Sequence, residues 1–431
     1  MSLPTDHPLR QRLFNESHAR PYAELTVPLQ VSYLVLLTGE VSPQKECLHL
    51  RKLAERYAVA PPLDSAMHYD ADFGHFSIKW EKHTEFSSYS FYAKKDCDEP
   101  FSHKVINNVP EQWLQDLKGE LLVAQHIEIL PASETRIDQK TITDIFQDSS
   151  LVASLVVGTA AEAWTDFRLQ KDGFSQTLIL NSSLSPQTTS RLVQHLLELE
   201  TYRMLSLLSL PLVAEHGKKI TDMGQSLTDI TQRLSNTGSL EQERALLEEL
   251  TELEANIERL IASTAYRFSA TKAYKAIVLD RVVSLRENRI EGRQMLSRYL
   301  ERRFMPAMNA CESIVSRLEN LSRRVARASQ ILMARVDLAL ESQNRDLLNS
   351  MDKRAQLQLR LQETVEGLSI AAISYYVVGL MSYIASAIKA AGVPIDKELF
   401  VGASIPIVLF SVWVGVRKIK KRLIKDTNKN Q

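Results

Sequence analysis

The sequence predicts an α+β cytoplasmic domain followed by long antiparallel or coiled helices and a C-terminal two-helix transmembrane hairpin. Residues 368–388 and residues 399–416 contain no charge, and each run approaches the roughly 20 residues that cross the core of a bilayer. Short β-rich stretches predominate before residue 186, whereas apolar residues recur at helical spacing after it. We therefore divide the chain into residues 1–185, 186–366, 367–416 and 417–431.

The composition excludes several classes of protein. Lys plus Arg and Asp plus Glu both total 52 of 431 residues, so no net positive charge is available for binding nucleic acid. Charged residues at 24% and apolar residues at 44% match soluble domains, which excludes a polytopic carrier and a disordered chain. Cys47, Cys97 and Cys311 form no disulfide or zinc motif, and residues 1–20 lack the apolar run of a signal peptide. We expect a reducing compartment, the cytoplasm, for the large domain.

The positive charges predict how the hairpin lies in the membrane. The loop between the two apolar runs contains only two basic residues, Lys389 and Lys397. A basic tail follows the second run. The basic residues of this tail include Arg417, Lys418, Lys420, Lys421, Arg422 and Lys425. By the positive-inside rule, we expect the bacterial inner membrane, with both termini and the large domain in the cytoplasm. We also expect the tail to contact anionic lipid, at about 1 kcal/mol per basic residue.

The middle of the chain is predicted to be almost entirely helical. Ser185 before Pro186 marks a helix start, and a turn at residues 236–238 precedes a second helix capped by Ser239. The two helices are expected to be antiparallel, and the second is expected to continue to Pro306. After Pro306, apolar residues recur at alternating steps of four and three. This spacing is typical of a coiled coil between two copies of the chain, and also of helix packing within one chain. They are Ile314, Leu318, Leu321, Val325, Ala328 and Leu332.

The first 185 residues are predicted to combine strands with short helices. Ser42 and Pro43 open an amphipathic helix that ends at Tyr57. Alternation of apolar and polar residues predicts strands at residues 28–37, 76–92, 121–130, 151–157, 163–169 and 174–180. Shorter helices are predicted at residues 111–117 and 141–146. This mixture is typical of an α+β domain.

One predicted strand places three side chains of metal-binding chemistry on the same face. Glu81, His83 and Glu85 are spaced two residues apart, so they could present oxygen, nitrogen and oxygen ligands to a divalent cation. The alternative interpretation is the solvated face of a half-buried strand. The cofactor is therefore unknown, with a divalent cation as the candidate.

Two other segments contain histidine next to polar groups. His18 either joins a small-molecule or metal site or ends a short helix before Pro21. An acidic and imidazole cluster, which we place in a loop, consists of His68, Asp70, Asp72 and His75. The sequence contains no Walker A loop, no G-x-G-x-x-G after a strand, no H-E-x-x-H and no G-x-S-x-G. We therefore expect a protein that is not an enzyme.

Four stretches together resemble a known family. They are N-E-S-H-A-R-P at residues 15–21, W-E-K-H-T-E-F at 80–86, E-T-Y-R-M-L at 200–205 and S-Y-Y-V-V-G at 374–379. The chain is similar, over nearly its whole length, to an uncharacterised bacterial family of membrane-anchored proteins known only as a domain of unknown function. The resemblance implies a membrane anchor and no particular activity.

The predicted layout is also similar to that of the CorA-type magnesium channels. In both, a cytoplasmic α+β domain and long helices precede two C-terminal spans, a short outer loop and a basic inner tail. The Gly-Met-Asn triplet of that family is absent from this sequence. The nearest stretch, at residues 379–382, reads Gly-Leu-Met-Ser and lies in the middle of the first span. Only the layout is therefore carried over.

The first span has one face of small or hydroxylated residues, which we call the small-residue stripe. It consists of Ser369, Ala372, Tyr376, Gly379, Tyr383 and Ser386. Such a face lets helices pack closely within the hairpin or between subunits, and in a ring of subunits it could instead line a narrow pore.

Two functions from different classes follow. The first is a membrane-anchored, non-enzymatic scaffold or sensor whose cytoplasmic domain binds a protein or a small ligand. The second is a CorA-like oligomeric cation channel gated by that domain. For both we expect a homo-oligomer in contact with membrane lipid, and no nucleic-acid partner.

Overall fold

The computed structural model describes residues 6–10, 24–39, 41–95, 99–132, 137, 139–146, 151–391 and 396–427. Contacts divide the chain into two compact units. The first, which we call the sheet unit, comprises Met1–Asn236 and Leu246–Ser329. The second, which we call the C-terminal unit, comprises Thr237–Ala245 and Gln330–Gln431.

The strands of the sheet unit form one mixed sheet. They are β1 (Leu29–Leu37), β2 (His68–Asp72), β3 (Ser77–Lys82), β4 (Phe86–Lys94), β5 (Glu120–Pro131), β6 (Val152–Val156), β7 (Ala161–Thr165), β8 (Ser175–Asn181) and β9 (Asn288–Arg289). Their order across the sheet is β2-β3-β4-β1-β5-β8-β7-β6-β9. The pairing of β5 with β8 is parallel, and the pairs on either side of it are antiparallel.

Short helices alternate with the strands, and long helices follow them. They are α1 (Pro43–Arg56), α2 (Glu111–Gln115), α3 (Gln139–Phe146), α4 (Pro186–Leu207), α5 (Leu210–Asn236), α6 (Leu240–Ser284), α7 (Leu296–Arg303), α8 (Met305–Ala390) and α9 (Lys397–Thr427). A 3₁₀ turn covers Val105–Asn108. The predicted α+β domain followed by long helices is confirmed.

Two of the three predicted helix starts have a capping hydrogen bond, whereas the side chain of Ser42 makes none to α1. The hydroxyl of Ser185 accepts a hydrogen bond from the backbone N–H of Thr188 at 3.3 Å. The hydroxyl of Ser239 accepts one from the backbone N–H of Gln242 at 3.4 Å. Each cap satisfies a donor that the first turn of a helix leaves without a partner.

Two predicted elements are wrong. The segment expected as a loop around His68 is strand β2, in which Tyr69 and Ala71 are buried while His68, Asp70 and Asp72 face solvent. The helix expected to continue to Pro306 ends at Ser284. Residues 285–295 then turn back, so that β9 pairs with β6, and Gly292 adopts the left-handed φ of +75° that glycine accepts most readily.

Both faces of the sheet are covered by helices. On one face, Val31 and Val35 of β1 belong to a core that includes Leu196 of α4. On the other face, Leu34 of β1 belongs to a core that includes Leu50 of α1. Because successive side chains of a strand point to opposite faces, β1 supplies both cores.

A buried ion pair joins α1 to the sheet. The carboxylate of Glu46 accepts a hydrogen bond from the ammonium of Lys82 at 2.6 Å, and both side chains are almost fully buried. The same carboxylate accepts hydrogen bonds from Trp80 Nε1 at 3.1 Å and from the hydroxyl of Tyr89 at 3.3 Å. Lys82 also donates to Thr38 Oγ1 at 2.7 Å. The pair is therefore stabilised by neutral partners on both sides.

The long helices up to residue 329 share the core of the sheet. Side chains from α4 to α8 belong to the same apolar cluster as Val31; examples are Leu205, Ile220, Phe268, Leu300 and Leu318. The boundary predicted at residue 185 thus marks a change of secondary structure within one packed core. Five residues of the predicted coiled-coil spacing are buried within the chain; Leu332 belongs to the C-terminal unit, and we call the four in the sheet unit the inner seam. These four are Ile314, Leu318, Leu321 and Val325.

The C-terminal unit contains two helical segments that are long and apolar enough to span a membrane. Only 11% of the apolar stretch of α8 and 6% of the apolar stretch of α9 is buried. The core helices of a soluble protein are, in contrast, mostly buried. The buried side chains of these segments include Ser374, Ala385 and Val408. The guanidinium of Arg417 lies 4.8 Å from the centre of the Trp413 ring. The side chains of the predicted tail residues Lys420, Lys421, Arg422 and Lys425 lie outside the described part.

Candidate functional site

A polar cavity of about 80 Å³ lies between the sheet and α4 in the sheet unit. Its sheet wall is the face of β3, β4 and β1 that contains Glu81, Lys79, Ser88, Ser90 and Tyr33. In the strand register, Glu81 lies opposite Ser88, and Ser90 lies between Lys79 on one side and Tyr33 on the other. The two serines are small, so the helix above them does not fill the space. We call this space the hydroxyl cavity.

Hydroxyl groups on its walls have defined hydrogen-bonding roles. Thr201 of α4 donates its proton to the carbonyl of Leu197 at 2.7 Å, so its oxygen accepts the hydroxyl of Tyr33 at 3.0 Å. Burial raises the pKa of Tyr33, and burial likewise raises the pKa of Tyr92 to about 12. Both phenols are therefore neutral at physiological pH and are able to donate hydrogen bonds.

The charges at the cavity are balanced. The ammonium of Lys79 lies 3.4 Å from Oε1 of Glu81, and the two side chains are 16% and 15% exposed. Glu198 on the helical wall accepts hydrogen bonds from Gln194 at 2.8 Å and from the guanidinium of Arg281. A ligand here would meet the Lys79–Glu81 pair among hydroxyls, together with the carboxylate of Glu198, whose charge Arg281 balances; this is suitable for a small zwitterionic or uncharged polar molecule.

The structure brings together two of the three predicted metal ligands. Glu81 and His83 both line the hydroxyl cavity, where the ring of His83 is stacked on Phe86 with centroids 4.2 Å apart. Glu85 instead accepts hydrogen bonds from Arg267 of α6 at 2.7 Å and from the hydroxyl of Tyr274. Burial raises the pKa of Tyr274, so this phenol is a donor to the carboxylate.

A three-ligand metal site is therefore not formed by this set. Within the described ranges, no group of three His, Cys, Asp or Glu side chains is arranged to hold a metal ion. His18 lies outside the described residues. Of the cluster predicted in a loop, Asp72 and His75 line a separate cavity of about 740 Å³ near His103 and Asn108.

A serine, a histidine and an aspartate meet elsewhere in the sheet unit. Ser32 Oγ lies 2.9 Å from His126 Nδ1, and His126 Nε2 lies 3.5 Å from Asp172 Oδ2. Ser32 is fully buried and also accepts the N–H of Ile106 at 3.3 Å, while the ring of His126 is stacked on Phe174 at 4.0 Å. A nucleophile needs access to its substrate, so this geometry is that of an enclosed structural network.

The small-residue stripe of α8 is mostly exposed within the chain. Ser369, Ala372, Tyr376 and Tyr383 are exposed, and Gly379 and Ser386 are half-buried. The fully buried positions of this segment are Ser374 and Ala385, on a different face. The stripe is therefore available for contact outside the single chain.

Sequence reasoning missed most of the residues that form the hydroxyl cavity. Tyr33, Ser88, Ser90 and Thr201 lie on two strands and a helix that are far apart along the chain. The available signal was the polar Ser-x-Ser spacing on β4, at positions where a strand covered by a helix normally has apolar side chains.

The fold and the site define an α+β protein with an internal polar cavity and two apolar C-terminal helices. A family model described as "Protein of unknown function (DUF3422)" matches residues 5–423. The chain belongs to this family, which confirms the predicted resemblance to a family of unknown function. The likeness to the CorA-type layout stays a prediction. Neither the curated proteins nor the solved structures contain a match to the chain.

Proposed function

We propose that this protein is a non-enzymatic sensor or scaffold, anchored in the bacterial inner membrane, whose sheet unit binds a small polar ligand in the hydroxyl cavity. The observation that carries the proposal is the composition of the cavity wall. Hydroxyls of Tyr33, Ser88 and Ser90 surround one oppositely charged pair, Lys79 and Glu81. The wall therefore offers both hydrogen-bond donors and acceptors, together with one charge of each sign, to a small polar ligand.

The charge pattern indicates the class of ligand. Lys79 matches a carboxylate, Glu81 matches an ammonium group, and the hydroxyls match further polar atoms. The volume of about 80 Å³ limits the ligand to a few non-hydrogen atoms. A free amino acid of the size of glycine or serine meets these requirements.

Support for the membrane anchor comes from the C-terminal unit. Large apolar side chains such as Leu380 and Phe410 are exposed to more than 60% along the two apolar segments. Apolar surfaces of this extent are normally removed from water, and insertion into a bilayer removes those of both helices. The basic residues after the second segment favour a cytoplasmic tail, and with it a cytoplasmic sheet unit that could also bind a protein partner. A reporter fused to the C-terminus tests this topology, and an external tail would contradict it.

Thermal unfolding of the full-length protein in mild detergent tests the ligand. We expect glycine or L-serine at 100 times its Kd to stabilise the sheet unit by about 2.7 kcal/mol and to raise its unfolding midpoint by several degrees. Lys79→Gln and Glu81→Gln should each abolish this shift. Lys52→Gln, at an exposed position of α1 outside the cavity, is the matched control. Equal midpoints with and without both amino acids would contradict the proposed ligand class.

The cation channel is the second candidate, favoured by the exposed small-residue stripe. An added side chain at Gly379 or at Gly415 of α9 would meet no atom within 4 Å in the single chain. Gly379→Leu should therefore reduce Mg²⁺ flux into liposomes if the stripe lines a pore, while Gly415→Leu should leave the flux unchanged. Absence of flux for the wild-type chain would exclude this candidate.

A further inference from the structure

One segment of α8 in the C-terminal unit is exposed on every side. All 25 residues from Glu341 to Val365 are exposed, although they form about seven helical turns. An isolated helix is marginally stable in water, and helices in proteins are stabilised mainly by burying an apolar face. The exposed residues include Leu347, Met351 and Leu361, at 63%, 66% and 70%. This segment lacks the burial that a stable helix requires.

Four of the seven large apolar residues of the segment fall on the a and d positions of a seven-residue repeat, which we call the outer seam, while Leu348, Leu357 and Leu359 lie at e, g and b. Its d positions are Leu340, Leu347, Arg354, Leu361 and Leu368, and its a positions are Asn344, Met351, Gln358, Val365 and Ala372. Most positions that face away from the seam are polar or charged, with Leu359 at b as the exception: Ser342, Asn349, Gln356 and Glu363 at f, Asp346, Lys353 and Arg360 at c, and Arg345 and Asp352 at b. This is the pattern of a helix with one partner along one face.

The repeat continues into the apolar segment with a change of residue type. The next a positions after Val365 are Ala372, Gly379 and Ser386, all small. In water a seam is stabilised by large apolar side chains, whereas in a bilayer small residues let helices approach closely. A partner helix must also change from large apolar to small residues at the level where α8 enters the bilayer. A second copy of α8, parallel and in register, meets this requirement.

We propose that two copies of this chain associate through the outer seam as a parallel, two-stranded coiled coil that runs from Leu340 through Ser386. Leucine at most d positions, with Asn344 and Val365 at a, favours two strands over three or four. Asn344 pairs with Asn344 of the second copy and fixes the register. The half of the seam before Val365 does not depend on the membrane or on the ligand of the proposed function.

Cysteine cross-linking of the full-length protein in membranes tests the seam. Leu347→Cys and Leu361→Cys lie at d, and the matched controls Asn349→Cys and Glu363→Cys lie at f, two residues along the same helix. All four positions are exposed in the single chain, so the substitutions should not disturb its fold. After mild oxidation we expect a disulfide-linked dimer for the d variants, well above the wild-type baseline, and only that baseline for the f variants.

The outcomes separate cleanly. Equal cross-linking of the d and f variants, or no cross-linking of either, would contradict a dimer contact through the outer seam. The mass of the wild-type protein in mild detergent gives the number of copies: two copies support the proposal, and a monomer or a ring of five copies overturns it. The amino-acid stabilisation test has a different readout, so failure of the ligand and failure of the seam are distinguishable.

Discussion

Two stretches of α8 have the same apolar spacing and opposite surroundings. The inner seam, from Ile314 to Val325, is buried within the sheet unit, and neighbouring polar contacts hold it to α5 and α6. Arg317 donates to Thr221 at 2.8 Å, and Ser322 donates to Glu258 at 3.2 Å. The large apolar residues of the outer seam from Leu347 to Leu368 are more than half exposed. A heptad pattern therefore identifies a face that needs a partner without identifying which chain supplies it.

The difference has a thermodynamic consequence. Contacts of the inner seam form within one chain, so their contribution to stability is independent of protein concentration. Contacts of the outer seam form between copies, so they weaken on dilution. Substitutions in the two regions should accordingly change two different measurements, the unfolding of the sheet unit and the fraction of dimer.

The largest effect is expected inside the sheet unit at the buried ion pair. Glu46→Ala leaves the ammonium of Lys82 buried without its carboxylate, which should destabilise the sheet unit by about 3–5 kcal/mol. Denaturant unfolding followed by the fluorescence of Trp80 and Trp164 measures this change. Glu46→Gln, which keeps the size of the side chain, should cost less. Dimer cross-linking at Leu347→Cys should be unchanged where the sheet unit remains folded, and a loss of cross-linking there would break the proposed separation.

A matched pair on α8 tests the comparison directly. Leu321→Ala removes a side chain that is 4% exposed and should destabilise the sheet unit by about 2–5 kcal/mol. Leu347→Ala should leave the unfolding of the sheet unit within about 0.5 kcal/mol of wild type, because its side chain is 63% exposed in the single chain. It should instead lower the dimer fraction measured by mass in detergent. A large effect of Leu347→Ala on the sheet unit would contradict the distinction between the seams.

Local patterns predicted much of the fold. The caps at Ser185 and Ser239 depend on residues within one turn of the helix, and both are confirmed. Strand β2 was missed because five residues of alternating polarity resemble a loop until a neighbouring strand pairs with them. The break after Ser284 was missed because it depends on pairing of β9 with β6, more than 130 residues earlier in the chain.

The candidate site was less predictable because its contacts are long-range. Glu81 and His83 were selected by their spacing on a strand, and both line the hydroxyl cavity. The same spacing selected Glu85, whose partners Arg267 and Tyr274 lie 182 and 189 residues further along the chain. Spacing on one strand identifies a shared face, whereas the helix that covers each side chain is determined by tertiary packing.

A pH-dependent loss of stability should be confined to the sheet unit. Burial lowers the pKa of His126 to about 4, below the usual value of 6.5, so between these values the unfolded chain binds a proton that the folded chain does not. Stability should therefore fall as the pH decreases from 6.5 towards 4, by up to about 3 kcal/mol. His126→Gln should flatten this part of the profile, and His75→Gln, at an exposed position, should not.

The same pH change distinguishes the two regions. Residues 217–431 contain no histidine, so the fraction of dimer, measured by mass in detergent, should be nearly constant between pH 7 and about 5. The unfolding midpoint of the sheet unit and the dimer fraction by mass, measured on the same samples, check this expectation. A parallel fall of both would indicate that the dimer depends on the sheet unit.

The smallest expected effect sharpens the assignment of the outer seam. Arg354 occupies a d position, where two copies would bring two guanidinium groups together and leave no apolar contact. Arg354→Leu should therefore stabilise the dimer by about 1–2 kcal/mol, which corresponds to a roughly tenfold tighter Kd. Lys353→Leu is the matched control, because its neighbouring c position faces away from the partner and should leave the Kd unchanged. Dilution of the purified protein in detergent, followed by its mass, gives both Kd values. A tighter dimer for Lys353→Leu than for Arg354→Leu would show that the heptad positions are assigned one residue too late, because an apolar side chain stabilises the dimer only on the face that contacts the partner.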